Sequence, residues 1–310
     1  MKPRGRHTAA YAALAFSALG WALAPVFIRL LSPHYDPYTQ SFARYVSAAA
    51  ALLPWCAAVY PRELRQALGR WRTLLAISLL VVCMQTAWTM AIYHTTATSA
   101  QLIAKLQVPM VVLLSYAVFH EERGVILNPL YLIGALLAFA GVMGVLMREP
   151  GAGPLPAFDL AFGLLMFVNV CWALYIVGSR HTCKDLHPVP MFTVVAVMVT
   201  AGFLPVMLVM GDVSLLVSAG PGVGLLAFVS GMVSISGAHC AFHYAQVRLG
   251  AAFCTTMHLL NPLATYLIAL ALWPDEAMNA AQWAGAAVLV TGSLLVVRAQ
   301  KRAAPPPAPE

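Results

Sequence analysis

Residues 14–29 read LAFSALGWALAPVFIR, and residues 171–180 read CWALYIVGSR; at an offset of 151 positions Trp21-Ala22-Leu23 falls on Trp172-Ala173-Leu174 and Arg29 on Arg180. Working outward from this pair, the same offset superposes Pro37 on Pro188, Pro54 on Pro205, Leu74-Leu75-Ala76 on Leu225-Leu226-Ala227 and Tyr93 on Tyr244. Asn128, Gly134, Ala135 and Gly141 meet Asn279, Gly285, Ala286 and Gly292, and a local two-residue shift puts Pro109 on Pro262 and Lys105 on His258. Matches of Leu and Ala mean little in so apolar a chain, but those of Trp, Arg, Pro, Tyr, Asn and Gly mark an internal duplication.

The composition says what kind of unit is duplicated. Of 310 residues, 61% are hydrophobic and 9% charged, against roughly 25% charged in an ordinary soluble chain. Too few polar residues remain to cover a soluble surface. The net charge of +7 does not point to nucleic acid, because Lys and Arg sit in short clusters between apolar runs. The six cysteines show neither a disulfide framework nor a paired CxxC zinc spacing, and read as packing residues.

A helix needs about 20 mostly apolar residues to cross a bilayer. Ten such runs are present, at 8–31, 37–60, 71–93, 98–119, 127–147, 158–178, 188–210, 222–245, 250–273 and 280–298. The expected organisation is a short cytoplasmic N-terminus (1–7), a first five-span repeat (8–147), a second (158–298) and a disordered cytoplasmic tail (301–310) rich in Pro and Ala. Span one follows Lys2, Arg4 and Arg6 as a signal peptide would, but it is too long for one and has a partner in the repeat, so it reads as a retained helix.

Lys2, Arg4, Arg6, the arginines between 62 and 72, Arg123, Arg180, Lys184, Arg248, Arg298, Lys301 and Arg302 all fall on one side of this topology, and Arg148 alone on the other. The positive-inside rule therefore puts both termini in the cytoplasm. Because five is odd, the second copy enters from the opposite side. The fold class is an all-α integral membrane protein of ten transmembrane helices in two inverted five-helix repeats, a construction recurrent in secondary transporters.

Charged and polar residues inside the spans are the candidate site. No acid lies deep in a span, but Arg44 lies in span two and Lys105 in span four. A charge at a helix centre costs about 2.5–3.5 kcal/mol on insertion scales, so each must reach water, a carbonyl, a headgroup or an anionic ligand. Arg44, near the outer surface, reads as snorkelling or as functional; Lys105, with Gln101 beside it, reads as a contact for a substrate carboxylate. On span eight Ser236, His239, Cys240 and His243 share one helix face, and the equivalent face of span three carries Gln85 and Trp88. His239 and His243 also have the i, i+4 spacing of a metal pair, with His258 as a possible third ligand, though cavity histidines are the plainer reading. Span nine aligns His258 and Asn261 beside Pro262. Trp21, Trp172 and Asn169 lie well within their spans and read as cavity lining or as packing. Pro109 and Pro262 each free a backbone carbonyl and are candidate hinges or simple kinks.

The motifs LAFSALGWALAPVFIR, CWALYIVGSR, DPYTQSFARY (36–45), LIAKLQVPMVVLLSYAVFHEE (102–122), LLNPLATYLIALALWPDE (259–276) and the Gly-rich LIGALLAFAGVMGVL (132–146) and WAGAAVLVTGSLLVV (283–297) together resemble the drug/metabolite transporter superfamily, in its ten-span EamA branch of bacterial inner-membrane permeases. The resemblance implies a basket of helices around a central cavity, spans five and ten at its periphery, and transport of small metabolites, often export of amino acids or related amphipathic compounds. The intramembrane glutamate of the superfamily's four-span multidrug pumps has no match here, which argues against proton-coupled efflux of cationic drugs. No Walker A motif is present. The expectation is a secondary transporter for a small-molecule substrate, embedded in the lipid bilayer and needing no cofactor. The alternatives are a histidine-dependent metal-ion carrier and an intramembrane enzyme built on Ser236 and His239.

Overall fold

The computed structural model describes residues 4–119, 127–146, 159–183, 185–249, 254 and 257–303. Helix α1 spans Arg4–Leu31, α2 Pro37–Val59, α3 Pro61–Gly69 and α4 Trp71–His94. Span four is broken into α5 (Ala97–Ile103), a 3-10 turn (Ala104–Leu106) and α6 (Gln107–Phe119), and α7 (Pro129–Val145) closes the first repeat. The second repeat holds α8 (Leu160–Thr182), α9 (Pro188–Met210), the short α10 (Leu215–Ser218) and α11 (Pro221–Ser230). There α11 runs through a π-helical stretch (Gly231–Gly237) into α12 (Ala238–Leu249). A 3-10 turn (His258–Leu260) leads into α13 (Asn261–Leu272), and α14 spans Ala280–Ala303. Among the described residues eight helices are long and apolar enough to cross a membrane, and the shorter apolar stretches Pro129–Val145 and His258–Leu272 complete the ten. The tail expected at 301–310 lies outside the described residues beyond 303.

Helix starts follow the local chemistry. Proline opens α2, α7, α9 and α11 at a position where its missing N–H costs nothing. Asp36 caps α2 by accepting from the N–H groups of Tyr38 and Thr39, both at 2.9 Å, and Asn128 and Asp159 cap α7 and α8 in the same way. Residues 61–70 lie between the second and third apolar runs. Here the chain forms the separate helix α3, started by Pro61 with Glu63 in its first turn and burying only Leu64 and Ala67.

The packing has the two-fold pattern that the duplication requires. Helix α1 packs on α12, and the repeat-equivalent pair α8 and α4 pack on each other; α2 packs on its own equivalent α9, and α7 on its own equivalent α14. The last pair is the most extensive contact. A Cβ added to Gly134 would stand 2.7 Å from the Gly292 carbonyl oxygen, and one added to Gly292 would stand 2.5 Å from that of Gly134. Gly141 and Gly285 stand in the same reciprocal relation, each 2.6 Å from the other's oxygen. Small residues let backbones touch, which matters in lipid because the hydrophobic effect does not drive helices together there.

On the face opposite the chain ends, Glu276 is buried at 2% exposure. Its carboxylate pairs with Arg29 and accepts the N–H groups of Ala97 at 2.7 Å and Thr98 at 3.1 Å, fastening the loop after α13 to the start of α5 and the end of α1. Arg29 also contacts Asp275 at 2.5 Å and lies over the Trp273 ring at 4.5 Å. Nearby, Asp36 accepts the Asp212 N–H at 2.9 Å and so ties the start of α2 to the end of α9. On the face of the chain ends, Arg70 meets the exposed Asp185 at 2.5 Å. The outward faces carry exposed Leu79, Leu136, Val209 and Leu267, an apolar surface suited to acyl chains.

Candidate functional site

The two broken helices define the centre of the molecule. Pro109 sits in the first turn of α6 and Pro262 in that of α13, each directly after a 3-10 turn. A proline ring crowds the carbonyl four residues earlier, here that of Lys105 and of His258. The chain relieves this by tightening: the N–H of Gln107 turns to the carbonyls of Ala104 and Lys105, and that of Asn261 to His258. Lys105 and His258 therefore occupy matching 3-10 turns in the two repeats.

Between these breaks lies a cavity of about 140 Å³. Gln101 holds α5 against α1 by donating to the Trp21 carbonyl at 2.8 Å, and Thr265 holds α13 there by donating to that of Ala22 at 2.8 Å. Asn169 of α8 donates to the carbonyls of Ile103 at 3.2 Å and Leu165 at 2.9 Å, so the approach to the Lys105 turn is fixed from a third side.

Lys105 is 5% exposed and lines the cavity; among the described residues it has no hydrogen-bond partner and no ion pair. Arg44, also in the lining, is 4% exposed. Its Nε donates to the Ser230 hydroxyl at 2.7 Å and its Nη2 to the Ser234 hydroxyl at 3.1 Å, while the Ser234 hydroxyl donates onward to the Ser230 carbonyl at 2.6 Å. The snorkelling reading of Arg44 is thus corrected, because two serines at the junction of α11 and the π-helical stretch turn the guanidinium inward. The fit depends on Gly231, whose Cβ would run into the Arg44 carbonyl and stand 2.8 Å from the Ser47 Cβ.

Aromatic rings form another wall. The Trp21 ring centre lies 4.6 Å from that of His258, 5.1 Å from His239 and 5.0 Å from Phe242. His239 stacks on Phe192 at 4.2 Å, and its Nδ1–H donates to the Ile235 carbonyl at 2.7 Å, which leaves Nε2 as the ring's acceptor in the neutral form. The Ser17 hydroxyl donates to the Leu14 carbonyl, so toward His258 Nε2 at 3.3 Å it accepts; His258 is the Nε2–H tautomer, and its Nδ1 takes the Asn261 amide N–H at 3.1 Å. The Asn261 Oδ1 is buried and has no partner.

The EamA-like transporter family matches this chain twice, over residues 8–147 and 160–298. The chain belongs to that family. An uncharacterized transporter from Archaeoglobus fulgidus is 31% identical over 179 residues, an alignment covering 56% of this chain and 58% of that protein; the chain thus spans somewhat over half the length of the curated relative it matches. A protein of known crystal structure is similar over 96% of this chain and 99% of its own, with a TM-score of 0.67 at 17% identity, a likeness of fold.

Within this EamA-like architecture, Trp21, Gln85, Trp88, Gln101, Lys105, Asn169, Trp172, His239, His258 and Asn261 come together around this cavity. Ser236 and His243 do not line it. The placement of Ser236 assumed a regular α-helix, whereas the stretch Gly231–Gly237 is wound as a π-helix, and His243 lies one turn beyond His239 in the regular helix α12. The wider i→i+5 winding brings Ser234 and Ile235 into the lining with His239. The Ser236 hydroxyl instead donates to the Met232 carbonyl at 2.9 Å, and among the described residues it makes no hydrogen bond to His239. Among the described residues no three His, Cys, Asp or Glu side chains converge as a metal site, and the His239–His243–His258 set is not one. Sequence reasoning missed Ser230 and Ser234, for which Arg44 in the facing span was the available signal, and Gln107, which follows the 3-10 turn of span four. No lining residue comes from α7 or α14.

Proposed function

We propose that this chain is a secondary transporter that carries small organic metabolites, amino acids or related amphipathic compounds bearing a carboxylate, across the bacterial inner membrane by alternating access. Lys105 carries the reading. An ammonium with three donors, buried at a helix break and lining a cavity with no partner among the described residues, supports a carboxylate-binding role. Membership of a transporter family, the inverted repeats and the central cavity support the alternating-access part. Net export with both chain ends in the cytoplasm follows the family resemblance and the bias of Lys and Arg toward one side. Pro109 and Pro262 are the proposed hinges, since the helical hydrogen-bond ladder is already interrupted beside each.

The test is flux into proteoliposomes of a panel of labelled amino acids and one cationic dye, with and without a pH gradient, wild type beside Lys105→Ala. Saturable amino-acid or carboxylate flux that falls at least tenfold in the variant supports the assignment. Dye flux alone, indifferent to the variant, overturns it.

A further inference from the structure

Resting on that transport reading, we propose that the solute is a small organic anion without an ammonium group: one carboxylate on an apolar body about the size of an aromatic ring, not an amino-acid zwitterion.

The cavity's charges are unbalanced. Lys105 offers three N–H donors with no described partner, and Arg44 has five N–H donors, of which the two serine contacts occupy two. Against these two cations the lining holds no carboxylate. The backbone acceptors that an unwound helix could offer an ammonium are already engaged. The Trp21 carbonyl is taken by Gln101, that of Ile103 by Asn169, that of Ile235 by His239 and that of His258 by the Asn261 N–H. What remains are neutral acceptors, among them the unpartnered Asn261 Oδ1 and His239 Nε2, and none of them carries a negative charge. A zwitterion would bring its ammonium into a buried space with two like charges and only neutral acceptors to receive it. An anion without that group is balanced by the same two cations. Taking charge from water into such a space is favourable only when it is paired.

Size and wall chemistry set the rest of the molecule. A cavity of about 140 Å³ is close to the roughly 150 Å³ of an apolar cavity known to admit benzene. Trp21, Trp88 and Trp172 line it, as do Met84 and Val168. Flat apolar surface beside fixed positive charge suits a ring bearing a carboxylate.

Three probes with one benzyl skeleton separate the charge classes: phenylacetate (anion), phenylglycine (zwitterion) and benzylamine (cation). Each is titrated at pH 7 against the full-length protein in lipid nanodiscs, read by tryptophan fluorescence, and then tested for counterflow in proteoliposomes. The expected result is phenylacetate at least tenfold tighter than phenylglycine, with benzylamine not saturating. Lys105→Met should cost phenylacetate at least tenfold, and Lys105→Arg, which keeps the charge, should restore most of it. Phenylglycine binding as tightly as phenylacetate, with Lys105-dependent flux, overturns this inference and leaves the amino-acid carrier standing. Benzylamine binding tightest, or no saturable binding of any probe, overturns it as well. Phenylacetate binding without flux of any probe keeps the anion site and sinks the transport reading.

Discussion

Replacing Glu276 by glutamine tests what fastens the helix ends on the face opposite the chain ends. In the structure Oε1 receives Arg29 and the Ala97 N–H at 2.7 Å, and Oε2 receives the Thr98 N–H at 3.1 Å. Glutamine has the same shape but carries an NH₂ in place of one oxygen, so at least one of these donors then faces another donor. A buried donor left unmet costs about 1–3 kcal/mol, and breaking a buried ion pair from one side about 3–5 kcal/mol. Arg29 keeps Asp275 at 2.5 Å and the Trp273 ring at 4.5 Å. The first is a surface-type contact of about 0–1 kcal/mol and the second is worth about 0.5–1 kcal/mol. The loss should therefore sit at the low end, about 3 kcal/mol, or roughly two orders of magnitude in the folded-to-unfolded ratio. Equilibrium unfolding in mixed micelles measures it, and a double-mutant cycle with Arg29→Met should return a coupling above about 1.5 kcal/mol. A loss below about 1 kcal/mol, or no coupling, would refute the argument that the buried carboxylate fastens α1 to α5.

Gly141→Ala drives a methyl to within 2.6 Å of the Leu289 Cα and should cost about 1–3 kcal/mol as overpacking. Gly163→Ala, with nothing within 4 Å of its added Cβ, should be neutral or better, and equal effects in the same unfolding assay would contradict the seam. Burial works to raise the Asp36 carboxyl, but the hydrogen bonds donated by Asp212, Thr39 and Tyr38 outweigh it and hold the group below its ordinary value. Its stabilisation is therefore complete above the ordinary carboxylate value near 4 and fades as pH falls through the lower folded-state value. Asp36→Asn should flatten that acid limb of the stability–pH curve, and an unchanged limb would assign it to other groups. Pro109→Ala and Pro262→Ala return a backbone N–H beside each 3-10 turn. Each should slow flux severalfold while leaving equilibrium ligand binding within about twofold, and unchanged flux in both would remove the hinges.

The spans were legible because crossing a bilayer demands long apolar runs, and the duplication because Trp, Pro and Gly coincide rarely by chance. Ten of the cavity residues could be found from polar and tryptophan side chains inside the spans. What escaped depended on winding or on partners distant in sequence. Nothing in GMVSISG (231–237) announces a π-helix, so Ser236 was put on the cavity face by the wrong period. Arg44 looked able to reach the surface because Ser230 and Ser234 lie far along the chain. Glu276 passed as a loop acid, although Arg29 and the start of α5 sit on the same face of the topology. Helix α3 is nine residues long and half polar, below what a hydropathy scan registers.

The reciprocal glycine contacts between α7 and α14 have a consequence for how such a chain can be built. Gly134 answers Gly292 and Gly141 answers Gly285, so position i of one copy meets position j of the other, and j meets i. This is the signature of an isologous interface, the kind formed by two identical subunits about a dyad. The surface joining the halves is thus self-complementary in the sense of a homodimer. The stretch between the two family-matching segments, 148–159, tethers an association whose geometry asks only for two copies of one five-helix protein inserted in opposite senses.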